Sequence, residues 1–159
     1  MPRINLGRHT IDSDREITVF LIGMGINSPL RVDRWWPVFT AMPRMLKHLE
    51  TDPGSGMLGY DLWALPSPLV LMYWESSEQL QAFAADADAP HLQAWRDFAQ
   101  LTKDGHVGVW HETYVTTPGR REAIYVNMPS LGLGKAIGTT PVGRGSSTAR
   151  QRMSVTVSS

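Results

Sequence analysis

The apolar residues of this chain switch between two spacings in a fixed order, and that order limits the fold more than any other feature. "EITVFLIGMGI", Glu16 to Ile26, is a run of β-branched and aromatic residues that ends in Gly and Asn-Ser-Pro, the pattern of a buried strand. Trp35, Phe39, Met42, Leu46 and Leu49 then recur at steps of three and four residues, which is a helix period. Asp33 is the expected N-cap, Pro37 suits the first turn, Pro43 is expected to kink the interior, and Asp52-Pro53-Gly54 ends the helix. "MLGYDLWAL" and "LVLMYWES", joined through Pro66-Ser67-Pro68, read as a hairpin. Ser76 or Ser77 caps a helical piece, and Asp88 with Pro90 opens a second one striped by Leu92, Trp95, Phe98 and Leu101. Lys103-Asp104-Gly105 stops it, and "GHVGVWHETYV" alternates as a last strand.

The order strand, helix, strand, strand, helix, strand predicts an α+β, ferredoxin-like βαββαβ fold, with both helices on one face of an antiparallel sheet. The other face needs a cover. The chain shows no internal repeat, so a second copy is expected there: a homodimer closing a dimeric α+β barrel. Residues 1–143 are expected to form this single domain, with a polar N-terminal lead and the C-terminal wrap "REAIYVNMPSLGLGKAIGTTPVG". Residues 144–159 are polar and small, and are expected to be a mobile tail.

Hydrophobic residues make up 42% of the 159, enough for a core. Fifteen basic residues balance fifteen acidic ones, which argues against a nucleic-acid or anionic-membrane partner. No cysteine is present, so this chain has no disulfide, zinc–thiolate site or thiol nucleophile of its own. The first residues lack an apolar signal-peptide region, and Ile17 to Ile26 is too short to span a bilayer. The expectation is a soluble, cytoplasmic protein.

Of five histidines, His9, His48 and His106 lie where solvent or the helix end is the ordinary neighbour. His91 falls in the first turn of a helix, and His111 lies in line with Val107, Val109 and Val115 on the strand that follows. Imidazole is both a common metal ligand and an acid–base group. A core histidine with one hydrogen bond remains the plain alternative. Glu112 points to the opposite side of the strand from His111. "LGLGKAIG" lacks the spacing of a phosphate loop.

"FLIGMGIN", "RWWPVFTAMPRML", "YWESSEQLQAFA", "HLQAW", "VGVWHETY" and "YVNMPSLGLGKA" together resemble the DUF4188 family, whose members are similar to a monooxygenase of the fumagillin biosynthetic cluster. The resemblance runs from about Asn5 to Arg152 and implies the dimeric α+β barrel. "PHLQAW", "WHETYV" and "YVNMPSLGL" are also similar to segments of the C-terminal half of aldoxime dehydratases, haem enzymes built from two fused units of this fold. Met128 stands where their pattern has Cys-His.

That similarity implies haem b, with His91 as the axial metal ligand and His111 as the distal acid–base group. Tyr114 and Arg96 join His111 as candidate catalytic residues, and Trp95, Trp74 and Met72 are the expected cofactor-contacting walls. Three readings follow. One is a haem enzyme, monooxygenase-like or dehydratase-like, acting on a small hydrophobic substrate. The second is a cofactor-independent monooxygenase of the antibiotic-biosynthesis type. The third is a binding protein that holds a hydrophobic ligand without chemistry.

Overall fold

Two antiparallel sheets organise the chain. The structure is a computed structural model and describes residues 3–64, 67–86, 99–100 and 102–153. The larger sheet contains β2 (Ile17–Ile26), β3 (Met57–Trp63), β4 (Leu69–Trp74) and β5 (Val107–Thr116) in the order β3-β4-β2-β5. With α1 (Val32–Thr51) after β2 and α2 (Ser77–Ala85) after β4, this is the expected ferredoxin-like order. Of the expected second helical piece, Asp88, His91, Leu92, Trp95, Arg96, Phe98 and Leu101 lie outside the described residues.

Alternation along the strands divides the sheet into two faces. Ile22, Val70, Met72 and Trp74 point to one face, where Leu46 and Leu49 of α1 and Leu80 of α2 close the core over them. Large-to-small changes in such a cluster typically cost about 2–5 kcal/mol. That packing explains how α1 runs unbroken past Pro37 and Pro43 to Thr51, although an interior proline costs about 3 kcal/mol. Two expectations are corrected here. Pro37 lies beyond the first turn, and Asp33 is not the N-cap. Arg31 holds the N-cap position and forks onto both oxygens of Asp33 at 2.9 Å, which keeps that carboxylate in the first turn beside the positive helix end. α2 begins as expected, with the Ser76 hydroxyl accepting from the Gln79 amide.

The second sheet was not foreseen. β1 (Asn5–Thr10), read as a polar lead, pairs on one edge with β6 (Ile124–Met128) and on the other with β7 (Thr140–Pro141). A bulge between Asn5 and Arg8 interrupts the first pairing, where the Gly7 amide donates to Asn127 Oδ1 at 2.9 Å. A short helix, α3 (Leu133–Ile137), follows β6 and packs on β3. Residues 144–153 form a 3-10 turn, Arg144–Ser146, and a helical turn, α4 (Ala149–Arg152), capped by Thr148. The C-terminal wrap therefore covers part of the sheet face turned away from α1 and α2, the face expected to await a second copy. Among the described residues, no helix is long and apolar enough to cross a membrane.

Candidate active site

His111 stands on β5, the edge strand of the larger sheet, directly across from Ile22 of β2. It therefore points to the helix-facing side, in line with Val107 and Val109 as the alternation predicts. Val107 is 2% exposed and belongs to the buried end of the strand, whereas His111 and Val115 are exposed. The Phe20 ring lies 5.6 Å from the imidazole, centroid to centroid, tilted by 40°. His111 is thus not a satisfied core histidine. It is an accessible imidazole with an aromatic wall.

Tyr114 cannot share that space. It lies opposite Val19, on the other face of the sheet, and its hydroxyl donates to Glu112 Oε2 at 2.6 Å. This separates two of the residues expected to act together: an odd number of residues between positions on one strand means the same face, and His111 and Tyr114 have two between them. His91, Trp95 and Arg96 lie outside the described residues. Met72 and Trp74, expected to face a cofactor, are 1% and 0% exposed and are core residues instead. Their position on the central strand β4, under Leu46, Leu49 and Leu80, leaves them no free surface.

A haem on this side of the sheet would meet these groups. His111 offers an imidazole at the rim, and Phe20 offers a flat apolar neighbour. Trp74 Nε1 and Thr18 Oγ1, on paired residues of β4 and β2, are enclosed without a hydrogen-bond partner among the described residues. Among the described residues no three His, Asp or Glu side chains converge as metal ligands. Of the two histidines expected around a haem, the described part holds His111, and His91 lies outside it.

Two clusters escaped the sequence reading. His106 Nδ1 lies 2.9 Å from Ser28 Oγ, and its Nε2 lies 3.3 Å from Arg31 Nη1 and 3.8 Å from Asp104 Oδ2. Ser, His and Asp together suggest a nucleophile, but a guanidinium can only donate to Nε2. The Nδ1 proton then points at Ser28 Oγ, which leaves no base for that hydroxyl. The group ties the ends of β2 and α1 to the start of β5. The second cluster lines an open groove of about 810 Å³ on the face away from the helices. Val19, Leu21 and Leu71 form its apolar bed. Asp61, Tyr73 and Tyr125 form its polar end, against the turn into α3.

At that turn the Gly132 amide donates to Asp61 Oδ2 at 2.7 Å, and the Gly134 amide donates to the Tyr125 hydroxyl at 2.8 Å. Lys135 Nζ reaches Asp61 Oδ1 at 3.3 Å and the Tyr60 carbonyl at 2.7 Å. The "LGLGKAIG" stretch thus spends its amides on the protein's own acceptors. Burial pushes the Tyr73 phenol up to about 12, with Tyr125 and Asp61 adding to the effect and the Leu133 amide opposing it. Burial raises Tyr125 as well, against the Gly134 amide. No short-range sequence signal links Asp61, Tyr73 and Tyr125, which come from three distant segments.

The sequence from residue 17 to residue 133, from the first strand of the larger sheet to the turn into α3, matches a known family of monooxygenases. The chain belongs to the monooxygenase af470-like family. A curated relative, monooxygenase af470 of Aspergillus fumigatus, is 26% identical over 130 residues, which cover 75% of this chain. The matched part is 46% of that relative, so the chain spans about half its length. In structure, the chain is similar to an aldoxime dehydratase, OxdRE, crystallised with butyraldoxime, with a TM-score of 0.65 and 14% identity. That match covers 83% of this chain and 39% of the dehydratase, and at this identity it shows the shared fold alone. SnoaB, a cofactor-independent oxygenase from Streptomyces nogalater, matches with a TM-score of 0.44 and 12% identity over 64% of this chain and 93% of its own. The family match and the dehydratase likeness bear out both resemblances read from the sequence.

Proposed function

We propose that this chain is a haem-dependent, monooxygenase-type enzyme acting on a small hydrophobic substrate held on the helix-facing side of the larger sheet. The observation that carries the reading is His111, exposed on that side beside Phe20. The similarity of "PHLQAW" and "WHETYV" to aldoxime dehydratases supports His91 as the residue that would hold the haem iron and His111 as the acid–base group that would serve the substrate. Haem bound there would supply the chemistry of its iron. His111 gives or takes a proton at an imidazole nitrogen on the substrate side. Phe20 limits water beside that nitrogen and orients an apolar substrate by its ring face. Trp95 and Arg96 complete the proposed site as wall and substrate-orienting cation. Tyr114, on the opposite face, takes no part.

In this reading the enzyme is a homodimer. Trp110 and Tyr114 are 43% and 51% exposed on the face away from the helices, on the edge strand β5 and outside the lining of the groove. Large apolar side chains so grouped favour a partner surface.

Hemin titrated into the purified protein tests the cofactor. A Soret shift is expected, His91→Ala should lose it, and His111→Ala should keep it while losing turnover by about 10²–10⁴-fold. A colourless His111→Ala beside a coloured His91→Ala would reverse the two roles. No Soret change in the wild type would end the haem reading and leave cofactor-independent oxygenation in its place. Sedimentation of a stable monomer at micromolar concentration would refute the dimer.

A further inference from the structure

The groove on the other face is not explained by the site at His111. Its volume of about 810 Å³ lies within the range of small-molecule pockets, about 300–1,000 Å³. Its bed is aliphatic, and its polar end is specific. Tyr73 is only 8% exposed, yet it lines the groove. Its hydroxyl lies against the turn into α3, where a β-carbon at Gly132 would sit 3.1 Å from it, and the Tyr125 oxygen on the same turn accepts from the Gly134 amide at 2.8 Å. A phenol that accepts still has a proton to donate. Neither hydroxyl proton has an acceptor among the described residues. Two donors anchored on one turn of backbone, at the end of an apolar trough, lack only an acceptor between them.

The charges around the groove narrow the choice of occupant. Asp61 is already matched by Lys135 and the Gly132 amide, and Glu122 by Arg152 Nε at 2.8 Å. Both carboxylates disfavour an anion, and neither is left to attract a cation. The occupant that fits is neutral, apolar over most of its surface, and carries an oxygen that accepts hydrogen bonds.

We propose that this groove is a second binding site, for a neutral apolar carbonyl compound whose oxygen accepts from the hydroxyls of Tyr73 and Tyr125. It is separated from the His111 side by the sheet itself, so it stands or falls independently of the haem reading.

A pair of probes that differ only in the oxygen tests this. 2-Acetylnaphthalene and 2-ethylnaphthalene are titrated into the full chain, with affinity read by calorimetry and location by the amide NMR shifts of Gly132, Leu133 and Gly134. The ketone should bind about 10-fold tighter than the hydrocarbon, the effect of one or two modest hydrogen bonds. Tyr73→Phe and Tyr125→Phe should each weaken the ketone by about 3–10-fold and leave the hydrocarbon unchanged. His111→Ala should change neither affinity. Circular dichroism of the Phe variants checks that they remain folded, and the hydrocarbon titration checks that the trough is intact. Equal affinity for the two probes, a ketone preference that survives in both Phe variants, or loss of binding in His111→Ala would each overturn the proposal. So would failure of both probes to bind, as would happen if a partner copy filled the groove.

Discussion

Trp110 lies across Gly23, its cross-strand partner, so that a β-carbon at Gly23 would sit 2.5 Å from the indole Nε1. The glycine gives the edge strand's tryptophan a seat on β2, and the ring covers the backbone of a central strand on the face away from the helices. Gly23→Ala must push the ring off that seat. The ring is 43% exposed and has room to swing, so the cost should be that of moderate overpacking, about 1–3 kcal/mol. Thermal unfolding measures the cost, and a red-shifted tryptophan emission reports the ring's move into water. An unchanged melting temperature with unchanged emission would contradict the seat.

All four tyrosines of the chain have phenols raised above their ordinary value of about 10. Burial leads at Tyr60, Tyr73 and Tyr125, whereas at Tyr114 the hydrogen bond to Glu112 leads. A raised phenol favours the native state while it is neutral. The stabilisation is full below the unfolded value and is lost as pH rises through the folded one, which for Tyr73 is the window from 10 to about 12. Absorbance at 295 nm should therefore show the tyrosines ionising later in the native protein than in the unfolded chain, with Tyr73 last. Tyr73→Phe should remove the latest step and flatten the loss of urea resistance across that window. An ordinary titration curve for the native protein would be inconsistent with the packing around Tyr73 and Tyr125.

What the sequence made legible follows from the range of the interactions. β2, α1, the β3–β4 hairpin, the Ser76 cap and β5 each carry their own periodicity or punctuation, and all appear in the order read. The face of His111 was legible too, because alternation along one strand fixes it. β1 was not, since "NLGRHT" has no apolar alternation and is a strand only through partners more than 110 residues away, such as Ala123, whose carbonyl accepts from the Thr10 hydroxyl at 2.8 Å. The groove was hidden for the same reason. Met72 and Trp74 were misplaced because an apolar strand residue has the same letter code whether it faces a core or a pocket.

Arg152 is 7% exposed in its side chain, and its guanidinium donates to Glu122 and, at 3.0 Å, to the Ser146 carbonyl. Arg152→Ala removes a charge-assisted pair and leaves Glu122 without it. A loss of about 1–3 kcal/mol is expected in urea unfolding. A chain ended after Ser147 should lose a similar amount, because it removes the same contacts. If both variants unfold like the wild type, the segment contributes no packing and the contacts of Arg152 are incidental.

Asp61 offers the sharpest test of how the wrap is held on the sheet. Its carboxylate sits on β3, 16% exposed, and takes the Gly132 amide on one oxygen and Lys135 on the other. Gly132 has φ of +53°, a conformation that side chains rarely adopt, so the turn into α3 is shaped to bring that amide to Asp61. Asp61→Ala strands a part-buried amide and frees Lys135, at a cost of about 1–3 kcal/mol. Asp61→Asn keeps an acceptor oxygen for the amide but loses the charge facing Lys135, and should cost less. Hydrogen exchange separates the two effects. The Gly132 amide should exchange faster in the Ala variant than in the Asn variant, and the amides of β2 and β4 should stay protected in both. If protection at Gly132 is the same in all three proteins, the wrap is held by the packing of Ala136 on Gly59 and not by the carboxylate.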